Sequence, residues 1–222
     1  MNHRFLLWRP LALLAFTPVS HGFVPSTRVF SIHSQLAMKK VLVPIADGSE
    51  EIETTCITDT LVRFGAEVTI ASVMPQSLTC KMSRGIRILA DCSIDEAVGQ
   101  DWDLVALPGG MPGAEHLRDS PALTQILQAQ KQAHKLYAAV CAAPAVALAS
   151  QNLLDGAEAT CYPAPKFRDV LPHAKDDKVV VHDNVITSQG PGTSLLFALQ
   201  LGEALFGKEK RDQIAKEMLV EA

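Results

Sequence analysis

Short, wholly apolar runs alternate with longer amphipathic segments along most of this chain, and that alternation predicts the elements. Lys39 to Ala46 is such a run, ended by Asp47 and Gly48, and predicts a buried strand. Ser49 is the expected cap of the helix that follows. Glu50, Glu51 and Glu53 fall in its first turn, where the helix dipole favours carboxylates, and Gly65 is its expected stop. Val68–Val73 predicts a second strand. Residues 79–92 predict a strand pair or meander off the main sheet, and Asp103–Pro108 another buried strand ending at Gly109 and Gly110. Ser120 and Pro121 supply a cap and an N1 proline for a further helix. Leu136–Val140 predicts a strand, then Cys141 and an Ala-rich helix through Ser150. Lys178–Ser188 predicts a hairpin turning at Asp183 and Asn184. Gly190–Thr193 opens a helix to Phe206, and a last helix covers 208–220. Strand–helix alternation of this kind implies a mostly parallel sheet covered on both faces, with any ligand beyond the carboxyl ends of the strands.

The first 37 residues do not fit that pattern. Arg4 and Arg9 flank a short apolar stretch, Leu11–Phe16, followed by the small residues Ser20 and Gly22. The stretch is too short to span a bilayer and has the layout of a secretory signal. The next segment, Phe23–Arg28, is rich in hydroxyl groups and free of acids, as transit peptides are. A signal followed by a Phe-led transit segment resembles the two-part plastid address of algae with complex plastids. A plain secretory signal and a mitochondrial presequence are the alternatives. The expected organisation is a targeting presequence over 1–37 and one folded domain over 38–222.

Charge and cysteine usage narrow the function classes. Residues 1–37 hold three of the 20 basic residues and none of the 24 acidic ones, so the remainder carries about −7. A domain that acidic has no basic stripe for nucleic acid, and its net field does not attract anionic metabolites or membrane surfaces. No nucleic-acid partner is expected, and no membrane association after processing. The five cysteines, Cys56, Cys80, Cys92, Cys141 and Cys161, are odd in number and contain no CxxC. They read as free thiols in a reducing compartment, not as a disulfide framework or zinc site.

Three strand ends carry the candidate chemistry. Cys141 follows a strand directly and opens a helix, the arrangement of a nucleophile elbow, with small neighbours Ala139, Ala142 and Ala143 that permit a tight turn. A thiol at a helix N-terminus is expected to have a depressed pKa; the competing reading is a buried, inert cysteine. Gly109 and Gly110 let backbone N–H groups point at a ligand oxygen and, with the N–H of Ala142, could form an oxyanion pocket; a plain turn is the alternative. Glu53 lies near the same sheet edge, and a carboxyl buried beside a thiolate would be held protonated and could donate its proton. Glu50 and Glu51 suit a solvated capping role. His116, His134, His173 and His182 lie in no strand-end motif, so no histidine base is assigned. Cys56, Cys92 and Cys161 read as inert, and Cys80 is left open.

Four segments in order, Gly48–Glu53, Leu107–Gly110, Ala139–Pro144 and Thr187–Thr193, resemble the DJ-1/PfpI (ThiJ) superfamily and its DJ-1-like branch over about residues 39–220. The resemblance implies a flavodoxin-like three-layer sandwich with a nucleophile-elbow cysteine, usually a homodimer. It implies that Cys141 is the reactive cysteine, Glu53 the protonated acid, and Gly109, Gly110 and Ala142 the oxyanion-type donors. It also implies that Gly190–Thr193 lies beside the site at the dimer contact. The activities it implies are cofactor-free glyoxalase III, deglycation of methylglyoxal adducts, redox sensing and chaperoning under oxidative stress. The expected partners are therefore small aldehydes or glycated proteins, with no metal and no organic cofactor. Some members have a histidine where this chain has Tyr162, which removes any His-assisted step. Ala142 stands where the protease branch has histidine, which argues against peptidase chemistry.

Overall fold

The structure is a computed structural model that describes residues 38–221. The expected presequence over 1–37 and its cleavage site lie outside the described residues. The elements run β1 (Lys40–Ile45), α1 (Glu51–Phe64), β2 (Glu67–Ser72), β3 (Thr79–Lys81), β4 (Arg87–Leu89), β5 (Cys92–Ser93), α2 (Ile94–Ala97), β6 (Leu104–Leu107), α3 (Gly113–Arg118), α4 (Pro121–Gln132), β7 (Leu136–Val140), β8 (Glu158–Ala159), α5 (Pro165–Arg168), β9 (His173–Ala174), β10 (Val179–His182), β11 (Val185–Ser188), α6 (Ser194–Phe206) and α7 (Lys208–Glu217).

Seven strands form the central sheet in the order β10-β11-β7-β6-β1-β2-β5, parallel throughout except for β10, which pairs antiparallel with β11. The continuous apolar runs of β1 and β6 are the mark of strands covered on both faces: Val41 to Ile45 and Leu104 to Leu107 are buried. Each such Val, Leu or Ile side chain contributes about 1.5–3 kcal/mol of transfer free energy. Helices α1, α6 and α7 pack on one another in one outer layer, where Phe64, Leu199, Ile214 and Ala215 form a second small core. Helices α2, α3 and α4 make the other layer, with α4 against β6 and β7. This is the flavodoxin-like sandwich.

The chain steps outward from β1 to β2 and β5, then returns to β6 on the other side of β1. That reversal opens a crevice at the carboxyl ends of β1 and β6, and β7 ends beside it.

Local expectations hold in several places. Gly65 ends α1 in the left-handed region (φ 95), Ser120 Oγ accepts from Leu123 N–H at 3.3 Å, and Pro121 opens α4. Four details differ. Ser49 does not cap α1: its Oγ accepts from Ala46 N–H at 3.0 Å, and the cap is Glu50, whose carboxylate accepts from Glu53 N–H at 2.8 Å. Within 79–92, β3 and β4 do form a separate pair, but β5 joins the main sheet beside β2. The Ala-rich segment after Cys141 is a π-helical turn over Pro144–Leu148 and a 3-10 turn over Ala149–Gln151, because packing against α3 overrides the propensity of alanine for an α-helix. The segment after Gly190 begins as a 3-10 turn, Pro191–Thr193, before α6 starts.

Candidate active site

The loop after β1, the glycine pair after β6 and the turn after β7 interlock. Glu50 N–H donates to Gly109 O at 3.0 Å, tying the start of α1 to the end of β6. A side chain at Gly109 would place its Cβ 2.6 Å from Cys141 Cβ and 2.8 Å from Val140 O. Gly110 has φ +85, and a Cβ there would strike Gly48 O and come within 2.7 Å of Glu50 N. Only glycine fits at either position, and the close approach brings all three strand ends to one point.

Cys141 has φ 64, in the left-handed region, a conformation that costs a non-glycine residue on the order of 1–3 kcal/mol. Both its backbone groups are anchored: its N–H donates to Ser188 O at 3.0 Å, and its carbonyl accepts from Tyr162 N–H at 2.8 Å. Strands β7 and β11 thus hold the strained turn that lifts the sulfur over the sheet edge.

The sulfur meets three groups. The backbone N–H groups of Gly110 and Ala142 favour charge on it, and the carboxyl of Glu53 lies beside it. Glu53 is 0 % exposed. Its Oε2 accepts from Gly109 N–H at 2.6 Å, its buried Oε1 has no hydrogen-bond partner, and the carboxyl lies beside the Cys141 thiol. Burial pushes Glu53 up to about 7, against the opposing hydrogen bond from Gly109. Burial and then the charge of Glu53 push Cys141 up to about 12, against the donors Gly110 and Ala142. Each group's charge disfavours the other's, so the pair holds one negative charge and one shared proton between about pH 7 and about pH 12.

The expected residues are therefore brought together, with three corrections. The helix N-terminus expected to depress the thiol pKa is absent: no α-helix follows Cys141, burial and the charge of Glu53 together outweigh the two backbone donors, and a thiolate forms at lower pH only where Glu53 keeps the shared proton. Gly109 does not offer its N–H to a ligand, because Glu53 takes it. Glu50 and Glu51 are not solvated. Glu50 caps α1, and Glu51 accepts from Ser83 Oγ at 3.0 Å and from Arg84 N–H at 2.9 and 3.0 Å, which pins the loop between β3 and β4 beside the site.

A cleft of about 290 Å³ opens over the sulfur, lined by Gly110, Cys141, Ala142, Tyr162, Arg84 and Lys166 among others. No histidine lines it. Tyr162 packs edge-on against Phe167 with ring centroids 6.3 Å apart. The sequence motifs did not mark Arg84 and Lys166, which come from a hairpin loop and a short helix with no strand-end signature. Three larger depressions, of about 790, 460 and 330 Å³, contain no thiol. Of the other cysteines, Cys80 and Cys161 are buried, Cys80 beside Ser72 Oγ at 3.3 Å, and Cys56 and Cys92 are half-buried. Burial holds the thiols of all four above the usual cysteine range.

Residues 39–204 match the DJ-1/PfpI family. Protein DJ-1 homolog B of Arabidopsis thaliana is 42% identical over 181 residues, 82% of this chain and 41% of that protein. This chain spans less than half the length of that relative and of DJ-1 homolog A, where coverage is 47%. A Caenorhabditis elegans protein named glutathione-independent glyoxalase DJR-1.2 is 35% identical over 180 residues, covering 80% of this chain and 94% of its own length. The solved structure of oxidized DJ-1 from Toxoplasma gondii superposes with a TM-score of 0.80 at 45% identity, covering 83% of this chain and all of that one. With the elbow cysteine, the buried glutamate and the glycine pair in one crevice, these matches settle the kinship: this chain belongs to the DJ-1/PfpI family.

Proposed function

We propose that this protein converts α-oxoaldehydes, free or as protein adducts, into 2-hydroxy acids without a cofactor, methylglyoxal to lactate being the simplest case. The observation that carries the reading is the arrangement of donors around one shared proton. With the proton on the Glu53 carboxyl, that carboxyl can donate to a sulfur anion that the N–H groups of Gly110 and Ala142 also stabilise, and Oε2 still accepts from Gly109 N–H. With the proton on sulfur, two N–H groups face a weak neutral acceptor. The first arrangement satisfies every buried group.

From there the chemistry is short. The thiolate adds to the aldehyde carbon, and the carbonyl electron pair moves to oxygen, which Gly110 and Ala142 N–H groups stabilise once the sulfur charge is spent. Glu53 protonates that oxygen, leaving a hemithioacetal and a carboxylate. The carboxylate removes the hydrogen on the former aldehyde carbon to give an enediolate, then returns that proton to the neighbouring carbon while the hydroxyl proton passes to the adjacent oxygen. The product is a 2-hydroxyacyl thioester. Water cleaves it to the 2-hydroxy acid and restores the thiol, so the sum is aldehyde plus water with no external oxidant. The likeness to a relative named as a glutathione-independent glyoxalase supports this reading.

A second reading has its own support in the same donors and in the oxidized form of the T. gondii relative. There, two equivalents of peroxide convert Cys141 to the sulfinic acid, with two waters released, and Glu53 hydrogen-bonds the product. Lactate formation from methylglyoxal decides between them. Turnover in the wild type and none in Cys141→Ser is the expected result. Equal rates in both proteins, or none in the wild type, would overturn the enzymatic reading.

Two further parts of the proposal concern context. The family match motivates a homodimer, with exposed apolar side chains such as Ile52, Ile86 and Leu89 free to be covered, so sedimentation should return twice the monomer mass. Import into a plastid is the location proposed from Arg4–Arg28, and a reporter fused to residues 1–40 tests it against secretion and mitochondrial import.

A further inference from the structure

We infer that the cleft over Cys141 selects aldehydes bearing an anionic group, a carboxylate or a phosphate, and that Arg84 and Lys166 recognise it. The aldehyde half of this inference rests on the function proposed above; the anionic half rests on the cleft alone.

Arg84 and Lys166 both line the cleft that contains the Cys141 sulfur. Among the described residues, neither takes part in an ion pair within 4.0 Å. The backbone of Arg84 is held in place by the Glu51 carboxylate and by Ser83 N–H donating to Ser49 O at 2.8 Å. Glu51 is thus a positioning residue for the backbone that carries Arg84. Lys166 holds its ammonium 4.7 Å from the centroid of the Phe167 ring, which keeps the charge on the cleft wall. Lys166 also borders a neighbouring depression that includes Glu115, without an ion pair to it. The one carboxylate that lines the cleft, Glu50, has Oε2 engaged by Glu53 N–H.

Two magnitudes sharpen the point. The domain carries about −7, so it repels anions at long range, and Arg84 and Lys166 place two positive charges at the mouth of the thiol cleft against the carboxylate of Glu50 and the charge of the Cys141–Glu53 pair. The cleft of about 290 Å³ has room for roughly ten waters at about 30 Å³ each. Methylglyoxal, with only a methyl tail, would leave most of that space and both cations in water. A longer α-oxoaldehyde ending in an anion would reach from the sulfur to the cleft wall.

The test uses a charge-matched pair of alkylating reagents, which needs no turnover. Iodoacetate and iodoacetamide each form an S–C bond to Cys141 and release iodide, differing in one negative charge. The ratio of their rates at Cys141, mapped by peptide mass and divided by the same ratio for free cysteine, reads the local field. The expected value is about tenfold above free cysteine at low salt. It should fall toward unity in Arg84→Gln, in Lys166→Gln and at high salt, with the iodoacetamide rate of each variant as internal reference. A ratio at or below that of free cysteine, or one untouched by both substitutions, overturns the inference. A turnover arm separates the two halves. KM for 4,5-dioxopentanoate and for 3-phosphooxy-2-oxopropanal should lie roughly fivefold or more below KM for uncharged 2-oxopentanal, and the lower of the two identifies carboxylate or phosphate. No turnover of any aldehyde with a high alkylation ratio defeats the enzymatic reading and leaves an anion site. Turnover without a raised ratio defeats the anion site and leaves the enzyme.

Discussion

Glu51 and Glu53 sit two residues apart in the first turn of α1, are both buried, and titrate in opposite directions. In spite of burial, its own backbone N–H, then Arg84 N–H and Ser83 Oγ, hold Glu51 below the usual carboxylate range. Glu53 accepts one hydrogen bond, from Gly109, and burial pushes it up to about 7. The side of the turn facing the loop between β3 and β4 is built to hold a charge; the side facing the sheet edge is built to hold a proton. Depth and donors act together: Glu53 is sealed at the sheet edge with one backbone donor, whereas Glu51 lies closer to solvent and has several.

The largest effect that can break this comparison is on turnover. Glu53→Gln keeps an N–H donor for the sulfur but cannot relay a proton, so lactate formation should fall about 10²–10⁴-fold. A rate within a few-fold of wild type would take Glu53 out of the mechanism.

Next in size is the pH dependence of stability. Because the Cys141–Glu53 pair in the folded protein keeps both its protons up to about 7, whereas the free carboxyl loses its own at 4.5, the native state binds more protons across that window. The contribution of Glu53 is complete below pH 4.5 and is lost as pH rises to about 7, a decline on the order of 3 kcal/mol. Denaturant titrations should show that decline flattened in Glu53→Gln. Glu51 acts with the reverse sign: its contribution is present above pH 4.5 and is lost as pH falls. If stability of Glu53→Gln declines over pH 4.5–7 as steeply as wild type, the burial argument is wrong.

Glu51→Gln should cost about 1–3 kcal/mol, because its amide can place only one acceptor against donors from Ser83 and Arg84. It should also raise KM for anionic aldehydes through displacement of Arg84, with kcat less affected. Smallest of all is Tyr162→His. With the ring 45 % exposed, stability should change by no more than about 0.5 kcal/mol. Cys141 already has its proton partner in Glu53, so turnover should change little. A large gain would show that the missing histidine matters.

Much of the site was legible because its parts are local signatures. A cysteine directly after an apolar run, a glycine pair after another, and an acid at a helix start each announce a strand end. The parallel order of the sheet brings such ends together. What the sequence concealed depends on contacts between distant segments. Ser49 looks like a cap by residue type, yet Glu50 wins because Gly109 O fixes its backbone and turns its side chain to Glu53 N–H. Glu50 and Glu51 look solvated until the loop at Ser83 and Arg84 covers them. The thiol's raised pKa follows from a π-helical turn and from burial, neither of which alanine-rich composition reveals. Arg84 and Lys166 reach the cleft from off-sheet elements that carry no periodic signal.

The central claim is that the single charge shared by Cys141 and Glu53 resides on sulfur. Thiolate absorbance, titrated in the wild type and in Cys141→Ser, measures it directly. The first proton leaves the pair at a pH no higher than the Glu53 value of about 7. The account therefore predicts one thiolate equivalent appearing with a midpoint at or below about 7 and absent from Cys141→Ser. If no thiolate attributable to Cys141 forms until the pH approaches about 12, the charge lies on Glu53 and the account is contradicted.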